Sequence, residues 1–171
     1  LHALNYRFPL TIKWGDVDCA VFPRSAFKSL QALPLVESGI AERFGLNDDE
    51  LALAISSHSG EPRHAETALK ILKKAGQDQA CLECGAHWPS NKEAERALAA
   101  AGQKPSALHN NCSGKHSGML AQCKLNGWPT QDYLYPLHPL QQGTVLLWPE
   151  IPLCKKTSGS LCGTGRGHVS P

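Results

Sequence analysis

In "FPRSAFKSLQALP", Arg24 and Ser25 stand together and Lys28 follows three residues after the serine. Residues three apart on a helix face one another one turn on. At that spacing an amine could take a proton from a hydroxyl, with Ser25 as nucleophile and Lys28 as base. A free lysine has a pKa near 10.4, so burial or a neighbouring cation must lower it for this work; Arg24 is such a cation. A serine at a helix N-terminus would also lie beside backbone N–H groups that suit a developing oxyanion. By spacing alone, an N-cap serine with a solvated lysine is the more frequent arrangement.

Two other polar loops carry reactive side chains. "SSHSGE" flanks His58 with two hydroxyls, Ser57 and Ser59, which would serve substrate binding or proton transfer equally well; a polar turn between helices is the plainer reading. "NNCSGKH" brings Cys112, Lys115 and His116 to one face if a helical turn has formed. Thiolate and imidazole are good zinc ligands, whereas lysine is a poor one unless deprotonated. Cys81 and Cys84 form a lone C-x-x-C with His87 close behind, and a structural zinc site would need further ligands at usable spacing.

The elements that must position these residues are short. The 171 residues match one domain, given about 150 residues per domain, and 42% hydrophobic with 19% charged residues allow a core. A net charge of +2 gives no reason to expect a nucleic-acid partner, and no apolar run approaches the roughly 20 residues of a membrane span. Seven cysteines without a recognisable secretory signal read as thiols and candidate metal ligands, in a cytoplasmic protein. Residues 11–22 suggest a hairpin. From Ser25, Phe27, Leu30 and Leu33 recur at helical spacing until Pro34 ends or kinks the helix, and a second helix runs from Leu35 to Phe44. Further helices start after Asn47, at Pro62 with Ala65, Leu69 and Leu72 inward, and after Ser90 with Glu93 as a capping box. "CLECGAHWP" is a loop or short strand, and another helix spans about Lys115 to Leu125. Several helices around modest strand content make an α+β fold.

"FPRSAFKSLQALPLVESG", "SSHSGEPRHAE", "CGAHWP" and "NNCSGKHSGML" occur in that order. From about Gly15 to Gln142 the chain closely resembles the asparaginase II family, the zinc-containing, Rhizobium-type L-asparaginases. The resemblance implies a serine-dependent amidohydrolase that converts L-asparagine to L-aspartate and ammonia, with a fold like that of serine β-lactamases and glutaminases. It matches the family's first Ser–Lys pair to Ser25 and Lys28, with Arg24 preceding them, and the serine of a second pair to Ser57, adjacent to Ser56. It assigns zinc to Cys112 and Lys115, sets His116 near the substrate alongside Arg24, and leaves a homodimer open. Zinc there would anchor and orient asparagine rather than generate hydroxide, since a serine nucleophile is already present.

The family's second half supplies another zinc-binding Cys, a nearby Asp and the lysine of the second pair. Here the motif resemblance stops after "HPLQQ", residues 138–142. The expectation is therefore a truncated member: a partial catalytic domain over 1–142 and a divergent, poorly ordered tail over 143–171, holding Cys154 and Cys162 out of family context. Such a chain is either an asparaginase in its complete form or a catalytically inactive fragment with at most weak zinc binding.

Overall fold

The computed structural model describes residues 24–146, and among them the regular structure is wholly helical. A 3-10 turn over Arg24–Phe27 leads into α1 (Lys28–Gln31), α2 (Leu33–Glu37), α3 (Ile40–Phe44), α4 (Asp48–Ile55) and α5 (Pro62–Lys74). After a 3-10 turn at Gln79–Cys81 come α6 (Lys92–Ala100), a further turn at Ala107–His109, α7 (Ser113–Asn126) and α8 (Pro139–Leu146). Helix α8 crosses the boundary set at Gln142. The hairpin expected over residues 11–22, and the tail beyond 146, lie outside the described residues.

The α+β expectation is overturned, because the described residues contain no strand. Between Leu82 and Pro89, backbone groups that a sheet ladder would use go elsewhere. The Asn110 side-chain amide donates to the Cys84 and Gly85 carbonyls at 2.7 and 3.0 Å. The Glu83 N–H donates to the Tyr133 hydroxyl at 2.9 Å. With side chains satisfying this segment, no partner strand is required.

Helix α7 is the centre of the described structure: every residue from Ser113 to Cys123 is buried. One side of it packs Met119, Leu120 and Cys123 with Leu53 of α4, Ala68 and Leu72 of α5, Tyr133 and Leu140. Another side packs Ala121 with Leu35, Ile40, Ala54 and Ala75. Leu72 of α5 is fully buried, and Ala65 and Leu69 pack against the core while half-buried, as their spacing predicts.

Several helix starts follow from capping chemistry. Asn47 accepts from the Glu50 N–H at 3.0 Å, while the Glu50 carboxylate accepts from the Asn47 N–H at 2.8 Å. Glu50 is itself buried and receives Lys74 Nζ at 2.6 Å, which ties the start of α4 to the end of α5. The helix predicted from Ser25 through Leu33 is instead broken at Ala32, with Pro34 in the first turn of α2. The next predicted helix breaks at Ser38-Gly39, where Gly39 adopts φ +70°. For α6 the cap is Asn91, accepting from the Ala94 N–H at 2.9 Å, and not Ser90.

Close approach of α7 to α4 requires glycine at 114. A Cβ there would lie 2.6 Å from Leu53 Cγ and would also collide with the Leu53 carbonyl oxygen. The obstacle is partly backbone, so α4 would have to move. Gly114→Ala should therefore destabilise by about 1–3 kcal/mol. Gly143, inside α8 and with no atom of the described residues within 4 Å of an added Cβ, is the control: Gly143→Ala should be neutral or stabilise by up to about 1 kcal/mol. Urea unfolding of both variants checks the contrast.

Candidate active site

Lys28 is buried at the first residue of α1, only 3% exposed. Its Nζ donates to the Ser56 carbonyl at 2.7 Å, to the Ser57 hydroxyl at 2.9 Å and to the Asn111 carbonyl at 3.4 Å. The Ser57 hydroxyl in turn donates to Ser25 Oγ at 3.1 Å. Ser25 and Lys28 are thus linked through Ser57. Ser25 is exposed and lies inside the 3-10 turn, while α1 begins only at Lys28, so Ser25 is not an α-helix N-cap. Of the two adjacent serines, Ser57 faces this cluster and Ser56 turns its hydroxyl back onto the Leu53 carbonyl at the end of α4. Arg24 is exposed beside them with φ +48°, a left-handed conformation that non-glycine residues adopt infrequently.

The "SSHSG" loop is held by His58. Its N–H donates to the Asn111 carbonyl at 3.2 Å, and its Nδ1 accepts from the Gly60 N–H at 3.2 Å. Nε2 lies 2.9 Å from Ser113 Oγ, whose own proton goes to the Leu108 carbonyl, so the Nε2 proton donates to Ser113. Burial, followed by the positive charges around it, lowers the His58 pKa to about 4. The His64 ring stacks on it with centroids 5.0 Å apart. Gly60, with φ +76°, brings its backbone so close to Pro89 and the His109 carbonyl that a Cβ would clash.

The third loop is locked from the "CGAHWP" segment. His87 Nε2 accepts the Asn111 N–H at 3.0 Å, while its Nδ1 faces the Trp88 carbonyl at 2.9 Å. Asn110 accepts the Cys112 N–H on Oδ1 at 2.9 Å, in addition to its two bonds into residues 84–85. Asn110, Asn111 and His87 therefore position the lysine's carbonyl partner, a role the sequence reading missed. The paired asparagines before a helix start were its only signal.

Cys112 occupies the N-cap position of α7, with Lys115 buried one turn on and His116 fully buried beside it. The His116 Nδ1 lies 2.8 Å from the Tyr133 hydroxyl, and its Nε2 has no hydrogen-bond partner among the described residues. Burial, with Lys115 and Lys28 adding to it, lowers the His116 pKa to about 3. Among the described residues no group of three or more His, Cys, Asp or Glu side chains is disposed to hold a metal ion. Cys112 and Lys115 offer two donors where zinc prefers four, so these residues alone do not make a closed zinc site. The C-x-x-C pair makes none either. Burial raises the Cys84 thiol to about 11 and its Sγ faces the Ala107 carbonyl at 3.6 Å, while His87 is engaged at both ring nitrogens. All four described cysteines are unpaired, and among the described residues no helix is long and apolar enough to cross a membrane.

An amine joined to two hydroxyls, buried at one end and exposed at the other, is equipment suited to hydrolases that use a hydroxyl nucleophile. The family model for L-asparaginase II matches residues 3–156, and the chain belongs to that family. It is thereby an L-asparaginase-like member of an amidohydrolase family, with a small molecule as substrate. The match includes residues 143–156, which the sequence reading assigned to a divergent tail. Comparison with curated proteins finds no match.

The lowered His58 pKa has a consequence for stability. The unfolded chain takes up a proton near pH 6.5 that folded His58 refuses until about pH 4. Stability should therefore decline as pH falls through that window, by a few kcal/mol at most at about 1.4 kcal/mol per pKa unit. His116 acts in the same direction. Urea midpoints measured from pH 7 to pH 4 should show the decline, and His58→Asn should remove part of it.

Proposed function

We propose that the site hydrolyses the side-chain amide of L-asparagine to L-aspartate and ammonia, with Ser25 as nucleophile and Lys28 as base acting through Ser57. The observation that carries this reading is the contact sequence Lys28 Nζ, Ser57 Oγ, Ser25 Oγ at 2.9 and 3.1 Å. The two carbonyls on Nζ, from Ser56 and Asn111, are acceptors for two N–H groups. A neutral amine in the same place keeps both and turns its lone pair to Ser57. The hydroxyl protons then run the other way, from Ser25 to Ser57 and from Ser57 to Lys28, with no heavy atom displaced.

In that arrangement Ser25 attacks the amide carbon as its proton passes to Ser57 and the Ser57 proton passes to Lys28. Lys28 returns a proton through the same hydroxyl to the departing nitrogen, and ammonia leaves as the C–N bond breaks. Water then attacks the ester on Ser25 with the same base, releasing aspartate and restoring the hydroxyl. In this reading Arg24 and His116 meet the substrate's polar groups. Exposure of Ser25 against burial of Lys28 supports this order of roles, since the nucleophile must meet substrate and the base must not be fully solvated.

For zinc, we propose at most weak binding through Cys112 and Lys115, with no step of the reaction depending on it. Metal analysis of the dialysed chain should find substoichiometric zinc. One tightly held zinc per chain, lost in Cys112→Ser, would overturn that reading.

Ammonia release from asparagine by the full chain tests the function. Ser25→Ala should reduce it on the order of 10⁴-fold or more with urea stability unchanged. Ser57→Ala, which cuts the proton path, should also be severely impaired. Turnover near normal in Ser25→Ala, with loss only in Ser57→Ala, would move the nucleophile to Ser57. No release by the unaltered chain would support the inactive alternative.

A further inference from the structure

Tyr133 is fully buried in the segment between α7 and α8, and its hydroxyl makes two contacts. The Glu83 N–H donates to it at 2.9 Å, and His116 Nδ1 lies 2.8 Å from it. The two rings meet edge to face, centroids 5.6 Å apart and planes at 68°. A phenol has one proton to donate and lone pairs to accept with. Glu83 takes a lone pair, since a backbone N–H can only donate. The phenolic proton needs an acceptor, and of the two contacts only His116 Nδ1 is one. An unmet buried donor costs about 1–3 kcal/mol, so this direction is the favoured one.

The other ring nitrogen then carries the imidazole proton. That Nε2 is buried with no partner among the described residues, although buried polar groups are almost always paired. An N–H donor left over in this way points to an acceptor brought by a ligand. We propose that Tyr133 is a positioning residue: its hydroxyl holds His116 as the Nε2–H tautomer and so presents a fixed N–H donor to an oxygen of the bound substrate. This rests on the reading of His116 as a substrate contact, while the tautomer itself does not. Tyr133 has no place in any of the motifs, and nothing in its sequence neighbourhood marks it.

Nitrogen-15 NMR of the histidine rings in the full chain at pH 7 reads the tautomer directly, with His116 assigned from the loss of its signals in His116→Gln. The expected result is a protonated Nε2 and an unprotonated, hydrogen-bonded Nδ1; a protonated Nδ1 in the unaltered chain overturns the proposal even if Tyr133→Phe does not fold. In Tyr133→Phe, which removes only the hydroxyl, His116 should move toward a mixture of tautomers, and an unchanged ring would also overturn it. Added asparagine should shift the Nε2–H resonance, and the KM for asparagine should rise about tenfold in Tyr133→Phe with kcat less affected. In a His116→Gln background, whose amide supplies its own donor, Tyr133→Phe should add little to KM; an equal increment there would show a general packing role and reject the positioning one. Absence of hydrolysis even in the unaltered chain, with the tautomer as expected, would fault the proposed reaction and leave standing that Tyr133 fixes the His116 tautomer.

Discussion

A buried amine must be surrounded by acceptors, and the three around Lys28 come from two segments distant from it in sequence. Left unpaired in the interior, such a group would cost several kcal/mol or more. Its satisfaction therefore demands that the end of α4, the "SSHSG" loop and the turn before α7 converge on α1. Most other polar contacts of the region serve that convergence. His58 and Lys28 share the Asn111 carbonyl, and His87 takes the N–H of the same residue.

Helix α7 makes the convergence possible. A helix buried along eleven consecutive residues, Ser113 to Cys123, cannot present a polar face to water. It carries small residues where neighbours come closest, Gly114 against Leu53 and Gly118 against Leu35. Its buried hydroxyls are met internally: Ser113 bonds to the Leu108 carbonyl and Ser117 to the Ser113 carbonyl, both at 2.9 Å. The helix thus serves as a core element along most of its length and as a site element at its first turn. Its low amphipathicity follows from being packed on more than one side.

The polar loops differ in what holds them. The 3-10 turn carrying Ser25 exposes Arg24, Ser25 and Ala26 and buries Phe27, and Ser25 itself meets the Ser57 hydroxyl. Ser57 sits between α4, which Gly114 brings against α7, and a loop tied to α7 through His58. Ser57, held from both sides, thus positions Ser25, which suits the nucleophile role proposed for Ser25.

From the sequence alone, order and type of the motifs determined the family and the residues worth watching, because reactive side chains at short spacing are local information. Helix starts at Asn47 and Pro62 were equally legible, being decided by caps and by backbone conformation within a few residues. What the tertiary structure alone decided was partnership. Lys28 is three residues from Ser25 yet bonds to Ser57, twenty-nine residues away. "CLECGAHWP" has the composition of a strand or a loop, and only the distant amide of Asn110 and hydroxyl of Tyr133 make it irregular. His87 read as a candidate ligand and proves to be a hydrogen-bond partner of Asn111. In each case the deciding contact spans more than twenty residues, a distance over which no periodicity or spacing rule in the chain carries information.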